Sequence, residues 1–460
     1  MENFNETIVA LATGMINCAI HIIRVSGEKT YEILNKVCKK QIKKKGYTFE
    51  LNDIVEKNNS KVTKIDNVIL VKYIAPHSFT GEDLIEINCH GGIFLANKII
   101  NLLIKNGCKL AKPGQFSKQA FLNKKINLNQ ANAINNLIKA NNDFSLSLAN
   151  NGLSLQTVKK LENIEEDFFK ILGQVEINID YPEYDDIPNL SNIQIIKLLK
   201  EIKDKLIQID NISSIGLKYS NGINVCILGK PNVGKSSLLN ALTSEEKAIV
   251  SNICGTTRDI IETKINIDGI TLNIFDTAGI RRKNINKIEK IGIEKTLDLI
   301  KKVDVILLVF DGSKKINEND KYLIEIAKKT NKKIIYIINK NDLIKKNKGM
   351  KKKNNELKNP IYISAKNNDI LTLIKELKKQ LPKFNLNDNS IVLQSQHSIS
   401  ILKSIINNID DVLKIFKEKE SIDIIMEKLH QIHNDFLTLL GKNEDYDFII
   451  NMFANFCLGK

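Results

Sequence analysis

The sequence predicts an α/β plus all-α protein of three parts, in which a helical domain is interrupted by an inserted, mostly parallel α/β domain. Three observations predict it. Residues 1–122 mix short β-rich runs with turn clusters, apolar residues at helical spacing flank the centre on both sides, and residues 218–381 alternate apolar strands with helices. At 460 residues the chain is longer than one hydrophobic core usually serves.

In chain order, Ile20 to Val25 and Val68 to Tyr73 read as strands, with turns around Pro76 and Pro113-Gly114, so residues 1–122 form an α+β domain. Residues 123–217 are the first part of the helical domain. Val158, Leu161, Ile164, Phe168, Ile171, Leu172 and Val175 fall on one face at spacings of three and four. The period returns in residues 382–460, in Leu402, Ile405, Ile409, Val412 and Phe416 and again in Ile425, Leu429 and Ile432. Each apolar face needs a partner, and the two segments supply it to each other. Lys345 to Asn359 is a Lys/Asn-rich solvated loop or helix end.

The net charge of +15 fits a polyanionic partner, and equally a Lys-rich composition spread over solvated faces. Only four basic residues are arginine: Arg24, Arg258, Arg281 and Arg282. Their planar forks make them candidates for phosphate or carboxylate recognition. The seven cysteines are scattered without a C-x-x-C pair, which excludes a disulfide framework and fits a reducing cytoplasm. The sequence reads without a signal peptide or membrane span.

The inserted domain carries the chemistry. The apolar run Asn224 to Leu228 leads into Gly229-Lys230-Pro231-Asn232-Val233-Gly234-Lys235-Ser236 and then a helical Ser237-Leu238-Leu239. This G-x-x-x-x-G-K-S in strand-to-helix context is a phosphate loop: amides cradle the phosphates, Lys235 reaches the β- and γ-phosphates, and Ser236 offers its hydroxyl to Mg²⁺. Thr256-Thr257 lies in a Gly-containing loop, with Thr257 placed to complete the Mg²⁺ shell. Asp276-Thr277-Ala278-Gly279 follows a strand, so Asp276 holds Mg²⁺ through water and Gly279 turns its amide to the γ-phosphate. Strand Ile334 to Ile338 delivers Asn339-Lys340-Asn341-Asp342. Asp342 can accept from guanine N1–H and the N2 amine, which adenine lacks, and Ser364-Ala365-Lys366 backs the base. The expected ligand is therefore GTP. Many switch GTPases follow D-T-A-G with a Gln that orients water, but Ile280 stands there. Another polar group must act, with Arg258, Arg281, Arg282 and Glu289 as candidates by proximity.

With these motifs, essentially the whole chain resembles the MnmE (TrmE) family of tRNA-modifying GTPases. The resemblance rests on Arg24 to Gly27 (R-V-S-G), Pro76 to Gly92, Lys112 to Lys125, the inserted domain and the terminal Phe456-Cys457-Leu458-Gly459-Lys460. It implies a folate-binding-like N-terminal domain, a discontinuous helical domain and a Ras-like P-loop G domain. It further implies a homodimer working with the flavoprotein MnmG (GidA) to place an aminomethyl or carboxymethylaminomethyl group on C5 of the tRNA wobble uridine. The carbon would come from a tetrahydrofolate derivative, 5-formyl or methylene. By motif, folate contacts fall on Arg24, Glu86, Lys125 and Lys460, and Cys457 becomes a candidate catalytic thiol. The same resemblance makes Ser251-Asn252-Ile253-Cys254-Gly255-Thr256-Thr257 the first switch, with K⁺ held by Asn232, Ser251, Ile253 (backbone) and Thr256, and water positioned by Glu289. K⁺ then takes the part of an arginine finger, which agrees with the gap at Ile280.

Some features stand apart. A buried structural role for Cys457 competes with the thiol reading. His430 and His433 share a helix face and fit a surface or interface better than a metal. The family's Pro/Gly/Arg-rich segment after the first strand is replaced by Thr13 to His21, with loss of backbone freedom and of a positive charge beside the expected folate site. The rival function is a regulatory or ribosome-assembly GTPase without modification chemistry.

Overall fold

A computed structural model describes residues 6–58, 61–180, 191–245, 263–267, 269–276, 300, 303–346, 357–380, 390–418, 422–443, 446–457 and 459. The chain divides into two compact units. One holds residues 1–135, 152–208 and 393–460, the other residues 136–151 and 209–392.

The first unit is built on a six-stranded sheet of β1 (Ile8–Leu11), β2 (Ile20–Ser26), β3 (Thr48–Asn58), β4 (Lys61–Tyr73), β5 (Leu84–His90) and β6 (Lys109–Leu110). Its order is β3-β4-β5-β2-β1-β6, antiparallel except for the parallel β1–β6 pair. One face alternates Val9, Leu11, Ile23, Val25, Ile85 and Ile87 into a core with α1 (Thr30–Val37) and α2 (Ile93–Lys105). The other face is only partly covered. Near β1 it packs Ile8 and Ala10 on Phe116 of α3 (Gln115–Leu122), but Phe49, Leu51 and Ile69 further out are 79%, 58% and 45% exposed. In register, Ala10, Arg24, Glu86, Val71 and Phe49 make one row across this face.

The helices of this unit include most of α4 (Leu128–Lys139), α6 (Leu155–Asp180), α12 (Gln396–Glu418), α13 (Ile422–Leu439) and α14 (Tyr446–Phe453); α5 (Asp143–Leu153) and α7 (Asn192–Ser220) fall among them in the sequence. The apolar stripe read over Val158 to Val175 lies within α6, and the later periodicities within α12 and α13. The segments do supply each other's partner: Phe168 and Phe436, both fully buried, stack with centroids 5.4 Å apart. His433 accepts or donates to Glu165 at 3.1 Å and lies on the Phe169 ring, which is an interface role within the unit. No cluster suited to a metal occurs among the described residues. Likewise, no described helix is long and apolar enough to cross a membrane.

The second unit has a sheet of order β12-β11-β10-β7-β9-β8. Its strands are β7 (Ile223–Leu228), β8 (Thr263–Ile267), β9 (Ile270–Asp276), β10 (Val305–Asp311), β11 (Lys333–Asn339) and β12 (Ile361–Tyr362), parallel except for the β8–β9 hairpin. With α8 (Lys235–Glu245), α9 (Glu318–Lys328), α10 (Asn341–Lys346) and α11 (Leu371–Gln380), it alternates as the sequence predicts. Six consecutive residues of β10 are buried because apolar clusters cover both faces. Residues 136–151 and 209–217, which belong to the helical stretch of the sequence, pack inside this unit. Phe144 meets Tyr219 edge-on and Asn142 donates to Thr271 at 2.7 Å.

Candidate functional site

All the described nucleotide motifs stand at the carboxyl ends of parallel strands, where an open α/β sheet leaves its crevice. Register sets Asp276 beside Ile227 and Asp311 beside Asn339. The loop after β7 needs unusual backbone. Asn232 and Gly234 have φ of 64° and 96°, and a Cβ on Gly234 would stand 2.2 Å from Asn339 Nδ2. Such a curled loop turns consecutive N–H groups toward one point, an anion nest continued by the amino end of α8 with Ser236 and Ser237 in its first turn. Lys235 is 9% exposed and donates to the carbonyls of Gly229 (2.9 Å) and Lys230 (2.8 Å), spanning the loop.

The base-reading segment is wired to this loop. Asn339 donates to Val233 O at 2.9 Å and accepts from the Ala365 amide at 3.0 Å, so one side chain joins the phosphate loop to the Ser364-Ala365-Lys366 turn. Lys340 donates to Asn232 O at 2.9 Å and to Asp311 at 2.7 Å. Ser364 donates to Asp342 Oδ1 at 2.6 Å, orienting the carboxylate that would read guanine. Asp311 was not among the residues expected from sequence. Burial works to raise its carboxyl, but Lys340 and the Ser313 hydroxyl and amide overcome burial and hold it below the usual carboxylate range. Its signal was an acidic residue closing a fully apolar strand. A second unforeseen anchor is Lys230, which bonds Asn317 at 2.6 Å and Asp320 at 2.5 Å in the capping box that starts α9. These residues fit GTP: a nest and a lysine for phosphates, a Ser at the Mg²⁺ position, and an oriented carboxylate for the base. Ser251, Asn252, Ile253, Cys254, Gly255, Thr256, Thr257, Thr277, Ala278, Gly279 and Glu289 lie outside the described residues, as do Arg258, Arg281 and Arg282; Asp276 is described through its backbone alone.

The first unit holds a second constellation. Arg24 donates to Glu86 Oε1 through Nε (3.0 Å) and Nη2 (2.6 Å), and through Nη1 to Gly459 O (3.1 Å). Its guanidinium lies 5.8 Å and 5.7 Å from the Phe79 and Phe116 ring centres. Glu86 Oε2 has no protein partner among the described residues, so a carboxylate oxygen remains for an incoming N–H donor such as a pterin edge. Lys125 is exposed, its stem 3.1 Å from where a Gly81 Cβ would stand, and Lys460 lies outside the described residues. The carboxyl-terminal tail is tied to this cluster. Phe456 packs with Phe453, Cys457 O accepts from the Gly114 amide at 3.2 Å, and a Cβ on Gly114 would meet Phe453 O at 2.2 Å. Cys457 is exposed, which overturns the buried structural reading. The Thr13 to His21 segment is pinned by its own side chains: fully buried His21 bonds Thr13 Oγ1 at 2.7 Å and lies 3.5 Å from Cys18 Sγ.

A phosphate loop running from a parallel strand into a helix, joined by Asn339 and Lys340 to an oriented Asp342, defines a Ras-like guanine-nucleotide-binding protein. Residues 7–125 match the model of the GTP-binding protein TrmE N-terminus, and residues 128–457 match that of the MnmE helical domain. The tRNA modification GTPase MnmE of Malacoplasma penetrans is 45% identical over 99% of this chain and 100% of its own length. That of Ureaplasma parvum is 44% identical over 99% and 100%, and that of Mesoplasma florum 38% identical over 100% and 100%. The chain belongs to the MnmE (TrmE) family.

Proposed function

We propose that this GTP hydrolase of the tRNA-modification family uses its GTP cycle to drive formation of an aminomethyl or carboxymethylaminomethyl group on C5 of the wobble uridine. The observation that carries the reading is the tail. Gly459 O on Arg24 and Cys457 O on the Gly114 amide bring the exposed Cys457 into the same unit as the Arg24–Glu86 cluster. A regulatory GTPase has no use for such an arrangement. The tetrahydrofolate derivative supplies a one-carbon unit when bound. Glu86 Oε2 would accept from its ring, while Arg24, held by Glu86 and Gly459 and flanked by two aromatic rings, keeps that carboxylate oriented. By the family motif, Lys125 and Lys460 would serve the acidic end of the ligand, and Cys457 would be the nucleophile.

In the second unit Ser236 and Thr257, with Asp276, would hold Mg²⁺. By the family motif, Asn232, Ser251, Ile253 and Thr256 would hold K⁺, which would supply positive charge against the transition state, and Glu289 would position water where Ile280 cannot. The partners are a second copy of the chain, the flavoprotein MnmG and tRNA, in the cytoplasm. The exposed apolar face bearing Phe49, Leu51 and Ile69 supports the dimer. Mass spectrometry of tRNA from cells whose only copy carries Cys457→Ser tests the reading. Loss of the C5 modification with GTP turnover intact is expected, and fully modified wobble uridine would refute it.

A further inference from the structure

A cavity of about 260 Å³ opens in the first unit, lined by Leu128, Asn132, Ser395, His397, Met452 and Asn455, with Asn451 at its rim. It is separate from the Arg24–Glu86 cluster, and no residue of it belongs to either site described above. None of its lining residues is acidic, lysine or arginine, which is notable in a chain of net charge +15. Burial holds the one titratable group, His397, below its usual range, so the imidazole is neutral at pH 7. Phosphates and carboxylates therefore have no counter-charge here. Asn132 is only 9% exposed, and among the described residues neither its side-chain amide nor that of Asn451 is seen to bond the protein. Amides that open into a cavity with no protein partner leave their donors and acceptors free for a ligand. Each amide offers a donor and an acceptor side by side, and Leu128 and Met452 supply apolar walls.

Pockets for drug-sized ligands run from roughly 300 to 1,000 Å³, so this one suits something smaller. An uncharged planar ring with alternating carbonyl and N–H groups matches in size and in pattern. The location narrows the choice. Asn455 precedes Cys457 by two residues, which limits their Cα separation to about 7 Å. Enzymes that act on a base in folded RNA take it out of the stack and read its edge in a pocket of this kind.

We propose that this cavity receives the extruded uracil of the RNA substrate, read by Asn132 and Asn451 and held within reach of the Cys457 tail. The inference rests on the tRNA-modifying reading. The test uses the full chain and an anticodon stem–loop with a fluorescent, isosteric uridine analogue at the wobble position. Anisotropy reports RNA binding, and the analogue's emission reports unstacking and capture. For the unaltered protein, binding with a change in emission is expected at the wobble position and not at its neighbour. Asn132→Leu and Asn451→Leu should each reduce the emission change by roughly five- to ten-fold, the order of one lost hydrogen bond, with RNA affinity changed less than about two-fold. Because Asn451 is exposed, its variant remains informative if replacing buried Asn132 disturbs folding. An emission change that survives Asn451→Leu, or one equal at the neighbouring position, overturns the pocket. Absence of any RNA binding overturns the tRNA reading instead.

Discussion

At the scale of single residues, the site is set by side chains whose partners lie far along the chain. Lys340 reaches both Asn232 O and Asp311, so it clamps the phosphate loop to the end of β10. Asp311→Asn removes the charge that holds the clamp. Guanine-nucleotide Kd should rise roughly ten-fold, since a charge-assisted bond contributes about 1.5–3 kcal/mol and part of it survives with a neutral amide. A fluorescent-GDP titration reads this. The sign with pH follows from the depressed carboxyl: stabilisation by Asp311 is complete above the ordinary carboxylate value of about 3.9 and is lost as pH falls through its lower folded value. The gap in thermal stability between the native protein and Asp311→Asn should hold steady from pH 8 to about 5 and close only at more acid pH; a gap closing near neutrality would contradict the assignment. Gly114 is the second such residue. Its φ of 68° and the 2.2 Å approach of Phe453 O leave no room for a methyl. Gly114→Ala should lower stability by about 1–3 kcal/mol. It should also free the Cys457 tail, abolishing modification with GTP turnover retained, as a melt and a tRNA digest would show.

At the scale of elements, legibility followed period and motif. The stripe of α6 and those of α12 and α13 were readable because burial repeats every three to four residues. The Asn339, Lys340 and Asp342 positions were readable because short motifs fix type and order. Asp311, the capping box on Lys230 and the grip of Gly459 on Arg24 were not, since each pairs residues without mutual spacing. Neither was the packing of residues 136–151 with the second unit, which depends on Asn142 meeting Thr271 and Phe144 meeting Tyr219. Helical period says that a face needs burial, not against what. Where α6 meets α13 the partner is now identified, and Phe436→Ala should cost about 3–5 kcal/mol by leaving Phe168 against a cavity. Chemical denaturation measures it, and a loss under 1 kcal/mol would mean that the Phe168–Phe436 contact is not a core contact.

At the scale of the whole molecule, Ile280 in the sequence and the exposed sheet face both bear on the proposed second subunit and its cation. On the sheet face, Phe49 pairs with Val71 and Leu51 with Ile69, so two adjacent rows present apolar side chains to water. A two-fold contact can bury such a patch on both copies at once. Phe49→Lys with Leu51→Lys places charges in the middle of it while touching neither core cluster. Sedimentation should show the proposed dimer for the native protein and a monomer for the charged variant. Nucleotide affinity should stay unchanged, because Asn339, Lys340 and Asp342 are wired within one chain. Turnover should separate from binding: on the proposed K⁺ site between two G domains, the native protein should hydrolyse GTP faster in KCl than in NaCl, and the charged variant should lose most of that difference. Equal rates in the two salts for the native protein would remove K⁺ from the mechanism and return attention to Arg281 and Arg282. A charged variant that remained dimeric would place the interface on another face.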